Sequence, residues 1–306
     1  MSQSALNHCI HANVHAALEE DIGEKAPTSI LPREQERRQT RKAIFNSGDL
    51  TAQLIPEHAR AYARVVTRQA AVLCGSPWFE ECFLSLDPDC HIKWLAQEGQ
   101  RVEPGQTLCE IQGNARAMLS AERPALNFLQ TFSATATLTQ RYVEAVAGTR
   151  AKIMDTRKTL PGLRVAQKYA VRVGGGHNQR TGLSDGVLIK ENHISAAGSI
   201  HAVLEQAFRI TPPGTPIQIE VENMVQFEES LNAGARLILL DNFPLADMRI
   251  AVAHAIGRAE LEASGGVTLE NVCLIAETGV DRISVGALTK DVQAVDLSMR
   301  FALQPS

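Results

Sequence analysis

Apolar side chains recur at helix-like spacing over residues 5–22 (ALNHCIHANVHAALEEDI), which predicts an amphipathic helix. The pattern then breaks. Residues 24–42 (EKAPTSILPREQERRQTRK) are charged, proline-punctuated and nearly free of large apolar groups, as expected of a surface insertion over 24–46. Its Arg33, Arg37, Arg38, Arg41 and Lys42 are interleaved with Glu34 and Glu36, the pattern of a solvated face rather than of a basic binding patch. From Gly48 to about Gln112 the apolar runs are short and β-rich, and Pro124–Ala147 turns helical again.

Beyond this helix a different rhythm sets in. Short β-branched runs alternate with helix-length segments: AKIMD (151–155), YAVRVGGG (169–176), GVLIK (186–190), PIQIEVE (216–222), RLILLDN (236–242), AELEASGG (259–266) and RISVGA (282–287). Such spacing calls for βαβ units and a parallel sheet, and seven of them predict an open α/β barrel. Earlier in the chain, EGQRVEPGQTLCEI (98–111) has the outline of a biotinyl or lipoyl hammerhead hairpin. A carrier domain needs a lysine at an exposed hairpin tip, and Lys93 precedes the motif, so only the shape is kept. The expected organisation is an N-terminal α/β sandwich over 1–130 and a barrel over 131–290, with the tail 291–306 packing back on the sandwich.

Composition narrows the function. With 306 residues, 44% hydrophobic and 21% charged, the chain has the make-up of a folded globular protein of one or two domains. A net charge of −4 and 5% aromatic residues disfavour nucleic acid, which attracts basic surfaces and stacks on rings. No apolar run approaches the roughly 18 residues of a membrane span, and Met1 to Glu20 lacks the features of a signal peptide, so a cytoplasmic location is expected. Cys9, Cys74, Cys82, Cys90, Cys109 and Cys273 form no CxxC pair and no metal-ligand spacing, and are read as reduced structural thiols.

The apolar runs end in charge or glycine: Asp155 to Lys158, Lys190 to His193, Glu220 to Asn223, Asp241-Asn242, Glu262 to Gly266, and Gly286. In (β/α) barrels the C-terminal strand ends carry the active site, so these residues define a candidate rim. Arg157, Lys158, Arg180 and Lys190 bring four cations to it, suited to a small polyanion. Pairing with Asp155, Glu191, Glu220 and Asp241 would account for their neutrality but not for their clustering. Glu220 and Asp241 could hold a divalent ion or face a developing positive charge. Ser264 and the glycines at 265, 266, 279 and 286 suit a phosphate bound by backbone N–H groups after the last strands. Gly174-Gly175-Gly176 fits neither a dinucleotide nor a P-loop motif and reads as a tight turn. His177 and His193 assemble into no Ser-His-Asp or Cys-His arrangement, which favours a structural or substrate-contacting role.

DTRKTLPGLRVAQKYAVRVGGG (155–176), LSDGVLIKENHI (183–194), EVEN (220–223), LLDNF (239–243), EASGGVT (262–268) and AETGVDRISVGALTK (276–290) together resemble the quinolinate phosphoribosyltransferases, also called carboxylating nicotinate-nucleotide pyrophosphorylases. GDLTAQLIP (48–56) and ERPALNFLQ (122–130) extend the resemblance over nearly the whole chain outside the insertion. It implies a type II phosphoribosyltransferase fold and a homodimer. The implied reaction joins quinolinate to phosphoribosyl pyrophosphate, with Mg2+, and yields nicotinate mononucleotide, pyrophosphate and carbon dioxide in de novo NAD synthesis.

By the family pattern Arg157 and Arg180 grip the quinolinate carboxylates, with Arg123 donated by the partner subunit. Lys158 and Lys190 stand where quinolinate meets pyrophosphate, Glu220 and Asp241 face the ribose and Mg2+, and Ser264, Gly265 and Gly286 take the 5′-phosphate. Thr156 and Lys290 complete the implied substrate contacts. Where the family reads GGGxNHR this chain reads GGGHNQR, so Gln179 replaces a titratable side chain and His177 is the one histidine near enough in sequence to stand in for it. Three rivals follow from the residues: a phosphoribosyltransferase for nicotinate or another small acid, a Schiff-base aldolase using Lys190, and a non-catalytic phosphosugar-binding module.

Overall fold

The computed structural model describes residues 2–23 and 48–303. The expected insertion at 24–46, with Arg33, Arg37, Arg38, Arg41 and Lys42, lies outside the described residues. In chain order the elements begin with α1 (Gln3–Ile22), β1 (Arg60–Thr67), β2 (Ala71–Val72), α2 (Ser76–Leu86), β3 (His91–Trp94), β4 (Arg101–Val102), β5 (Thr107–Asn114) and the long α3 (Ala115–Ala145). Then follow β6 (Lys152–Met154), α4 (Arg164–Val173), β7 (Val187–Ile189), α5 (Glu191–Ala197), α6 (Ile200–Ile210), β8 (Ile217–Val221) and α7 (Met224–Asn232). The chain closes with β9 (Leu237–Asp241), α8 (Leu245–Ala255), β10 (Glu260–Ser264), α9 (Val272–Ala276), β11 (Arg282–Ser284), α10 (Ala287–Lys290) and β12 (Leu297–Leu303). No described helix is long and apolar enough to cross a membrane.

Two compact units share the chain. The first takes residues 1–137, 161–174 and 292–306, and the second takes 138–160 and 175–291. In the first unit a four-stranded antiparallel sheet runs β12-β1-β5-β3, with β2 and β4 paired beside it. The end of the chain thus returns to the first unit, Thr67 facing Leu297 and Ala61 facing Leu303. Ile10, Val14, Leu18 and Ile22 recur every fourth residue of α1 and bury one face of it, each contributing about 1.5–3 kcal/mol by removal from water. They join a core in which Trp78 meets Phe132 edge-on with ring centroids 4.9 Å apart.

Residues 169–176 depart from the sequence expectation. YAVRV closes a helix, α4, rather than forming a strand. Ala166, Gln167, Ala170 and Val171 are buried at helical spacing in the core of the first unit, and this period outweighs the β-branched content of the run. Segment 161–174 accordingly belongs to the first unit although it lies within the barrel's stretch of sequence.

The second unit is a parallel sheet of six strands in the order β6-β11-β10-β9-β8-β7 with helices between them. What remains of the seventh expected strand is a one-residue parallel bridge, His177 to Met154, on the free edge of β6. Three glycines before His177 leave too little regular strand to extend the ladder. Side chains alternate along each strand. Ile219, Val221, Ile238, Leu240, Leu261, Ala263 and Ile283 are buried apolar positions, while their neighbours in sequence carry the polar groups described next.

Candidate active site

One cleft of about 180 Å³ in the second unit collects the polar positions of consecutive strands. Leu188 and Lys190 follow β7's course, Gln218 and Glu220 lie on β8, Leu239 on β9, Glu262 and Ser264 on β10, and Ser284 on β11; Thr156, Arg157 and Lys158 follow β6, and Gln179 and Arg180 follow the bridge at His177. The two-residue spacing within each strand puts these side chains on one face, and all four expected cations meet there. A larger cleft, about 430 Å³, lies where the strands begin. There Arg150 pairs with Asp281 (3.4 Å) and Arg258 donates to Asn232 Oδ1 (3.0 Å), structural uses of both arginines.

The motif letters have local causes. Asp155 is fully buried and accepts from Asn178 Nδ2 (2.6 Å) and from the Gln179 backbone N–H (2.8 Å), so it fixes the turn that carries Gln179 and Arg180. Thr156 Oγ1 accepts from the Lys158 N–H (3.0 Å), and Thr289 Oγ1 donates to the Lys158 carbonyl (2.6 Å). Asn223 caps α7 by accepting from the Gln226 N–H (3.0 Å). His193 Nδ1 accepts from the Lys190 N–H (3.0 Å) at the start of α5, a structural use of that histidine.

Charge in the cleft is partly paired. Lys190 Nζ donates to both oxygens of Glu220 at 2.9 and 2.7 Å. That pairing ties up the amine a Schiff base needs, which weighs against the aldolase. Arg180 donates to the Gly186 carbonyl (2.9 Å). Burial and the neighbouring Arg157 guanidinium hold its pKa below the ordinary arginine value, as expected of two like charges awaiting an anion.

Other expected site residues flank the cleft. Asp241, at the end of β9 and in register with Ser264, accepts from Asn242 Nδ2 (2.9 Å). Gly265 has φ +95° and faces Asn242. A Cβ on Gly286 would stand 3.3 Å from Lys158 Cδ, 3.9 Å from Lys290 Cε and 4.0 Å from Thr156 Oγ1, so that glycine lets the two lysines and the threonine close in. Lys290 pairs with Asp291 (2.8 Å).

His177 does not line the cleft. It is exposed, and partial desolvation together with Lys152 and Arg282 keeps its pKa below the usual histidine value. Gln179 occupies the cleft instead, its amide donating to Glu262 and to Gln218 Oε1 (3.3 Å). Arg123 is exposed on α3 within the first unit. Gln218 and Ser284 were not expected from sequence as site residues, and Glu262 was named only as part of the strand-end rim, with no role of its own. Glu262 was visible only as strand-end polarity, and the alternation of Gln218 with Glu220 on one strand was the signal available for that glutamine.

Magnesium has a limited donor set here. Among the described residues no group of three or more His, Cys, Asp or Glu side chains could cage an ion, and Glu220 is engaged by Lys190. Glu220 and Asp241 are oxygen-donor side chains of the kind a divalent ion takes.

The family model described as quinolinate phosphoribosyl transferase, C-terminal domain, matches residues 135–300, and that of the N-terminal domain matches 49–133. The carboxylating nicotinate-nucleotide pyrophosphorylase of Mycobacterium leprae (strain TN) is 43% identical over 260 residues, spanning 82% of this chain and 90% of that protein. A probable enzyme of the same name from Bacillus subtilis (strain 168) is 39% identical over 259 residues, 85% of this chain and 90% of its own. Among solved structures, the nicotinate-nucleotide pyrophosphorylase of Francisella tularensis superposes with a TM-score of 0.86 at 39% identity, covering 97% of each chain.

Proposed function

The chain belongs to the quinolinate phosphoribosyl transferase family, both of whose domain models it matches, and from that premise we propose how its cleft carries out the transfer. The protein is a phosphoribosyltransferase of de novo NAD biosynthesis that joins quinolinate to phosphoribosyl pyrophosphate and releases pyrophosphate and carbon dioxide. The observation that carries this reading is the meeting of Arg157, Lys158, Arg180 and Lys190 over Glu220 in one cleft of a net-negative chain. A dicarboxylate and a pyrophosphate together bring the negative charge such a cluster accommodates.

In our reading Arg157 and Arg180 hold the two quinolinate carboxylates, and Thr156 and Gln179 complete that end of the cleft. Lys158 and Lys190 lie at the junction with the pyrophosphate. Ser264, Gly265, Gly286 and Lys290 receive the 5′-phosphate. As pyrophosphate leaves, positive charge grows on the ribose ring; Glu220 and Asp241 stabilise it, and the lysines stabilise the departing oxygens. Glu220 and Asp241 would hold a Mg2+ ion, which would supply neutralisation of the negative charge on the leaving group. Once the pyridine nitrogen is ribosylated, the ring is its own electron sink for loss of the adjacent carboxylate, so no nucleophilic side chain is needed.

We further propose that the enzyme works as a cytoplasmic homodimer in which Arg123 of one subunit reaches the quinolinate site of the other. The deciding assay supplies quinolinate and phosphoribosyl pyrophosphate and follows carbon dioxide. Equal product formation with nicotinate, and none of it accompanied by carbon dioxide, would replace quinolinate by the simpler acid.

A further inference from the structure

At the foot of the cleft sits a carboxyl group that the transfer chemistry leaves unused. Glu262 is 1% exposed. Its Oε2 accepts from Gln218 Nε2 (3.0 Å) and from Gln179 Nε2. Its Oε1 has no hydrogen-bond partner among the described residues, the neighbouring Ser284 hydroxyl being turned to the Ala263 carbonyl at 3.4 Å.

A buried carboxylate with one oxygen unsatisfied is an unfavourable species, whereas a neutral carboxyl has a proton to donate. Ser284 Oγ is beside it to accept. The surrounding charges set a balance. On β8 the neighbours are Gln218 and Glu220, and on β11 they are Ser284 and Arg282, the latter already paired with Glu260. The rim cations Arg157, Lys158 and Arg180 favour an ionised Glu262 while the cleft is empty, Lys190 being offset by Glu220. Burial pushes its carboxyl up from the ordinary range, against the Gln218 and Gln179 hydrogen bonds, the nearby Ser284 hydroxyl and Arg282, which pull it down. A dianion seated on those cations neutralises them and adds its own negative charge beside Glu262, which tips the balance toward the neutral acid.

We propose that Glu262 is a proton-linked positioning residue: it holds one proton, on Oε1 and bonded to Ser284, when a dicarboxylate fills the cleft, and its Oε2 keeps the Gln179 amide in place. The inference rests on the quinolinate reading above. The group acts through Gln179 and does not touch the reacting atoms.

Calorimetry of quinolinate binding to the full chain, between pH 5.5 and 8.5 in buffers of different ionisation enthalpy, counts the protons taken up. Alongside it, kcat/KM for quinolinate is followed over the same range. The wild-type protein should gain, relative to Glu262→Gln, up to one extra proton per site on the alkaline side, where its kcat/KM falls by about tenfold per pH unit. Glu262→Gln, which mimics the neutral acid, should lack that descent, and Glu262→Ala should lose at least tenfold across the whole range. Identical proton counts and pH profiles for wild type and Glu262→Gln would overturn the proposal. Should Glu262→Gln fail to fold, Ser284→Ala removes only the acceptor and should move the alkaline limb to lower pH; an unmoved limb overturns the proposal equally. Wild-type turnover without Glu262-linked uptake sinks this inference alone, whereas absence of carbon dioxide release sinks the functional reading.

Discussion

Replacing Gly265 by alanine tests how the phosphate end of the cleft is built. Gly265 has φ +95°, and a Cβ there would lie 2.1 Å from Asn242 Oδ1, 2.5 Å from its Cγ and 3.0 Å from its backbone nitrogen. None of these can stay. Asn242 is itself at φ +55°, and its N–H donates to the Ser264 carbonyl (2.9 Å) while its Nδ2 donates to Asp241 Oδ2 (2.9 Å). Alanine at positive φ costs about 1–2 kcal/mol. Loss of the amide-to-carboxylate bond adds roughly 1–2 kcal/mol, at the low end for charged partners because the pair is exposed. The sum is about 2–4 kcal/mol of stability, with Asp241 released from its hydrogen-bonded position. Denaturant unfolding should register the loss in the second unit, and kcat for the transfer should fall by at least tenfold. In Asn242→Ala/Gly265→Ala the atoms at 2.1 and 2.5 Å are gone, so the double variant should be less destabilised than the sum of the single ones. A Gly265→Ala protein within about 0.5 kcal/mol of wild type and fully active would refute the steric account.

Asp241→Asn should lower kcat by about a hundredfold or more while binding of phosphoribosyl pyrophosphate changes little, since a carboxylate acts on charge that exists only in the transition state; equal losses in affinity and turnover would point to a binding role, and near-normal turnover would remove Asp241 from catalysis. Arg157→Ala and Arg123→Ala should each abolish activity, and mixing the two proteins should restore about a quarter of it, because half of the random dimers are mixed and each of those has one intact site. No restoration in verified mixed dimers would place Arg123 outside the partner's site. Native protein at pH 8 should expose one fast thiol to a disulfide reagent, Cys273, with Cys9 slower, because burial pushes the Cys90 thiol up to about 12 and raises Cys74, Cys82 and Cys109 as well. Rapid reaction of more than two of the six would contradict the buried core of the first unit.

The parallel sheet was legible because each of its six strands is a short apolar run that stops at charge or glycine, and the alternation inside a run separates buried Ile238 and Leu240 from polar-facing neighbours. YAVRV misled because strand-forming side chains sat on a helical period, and the period was decided by burial of Ala166, Ala170 and Val171 in the first unit. The cationic rim could be read from strand ends alone. Glu262 could not, since what defines its role is contact with Gln179 and Gln218, which lie 83 and 44 residues away in the chain. Whether His177 could stand in at Gln179's place was not legible for a related reason: the bridge at His177 directs that residue toward Lys152 and Arg282, whereas the backbone N–H of Gln179 is clamped by Asp155 and its side chain turns to the cleft floor.

The pairing choices in the cleft separate its fixed charges from its adjustable one. Lys190 and Glu220 neutralise each other through two hydrogen bonds. Glu262 is paired with amides instead, and their N–H groups can donate to Oε2 whether the carboxyl is ionised or carries its proton on Oε1. A lysine or histidine in place of Gln179 would add a cation beside Glu262 and hold it ionised in the bound state as in the free one. With amides there, the protonation of Glu262 is left to the net charge above it, which is positive while Arg157, Lys158 and Arg180 hold no anion and turns negative as carboxylates and phosphates seat on them. A chain of net charge −4 can in this way present a cationic rim to its substrates and still avoid an uncompensated carboxylate under them.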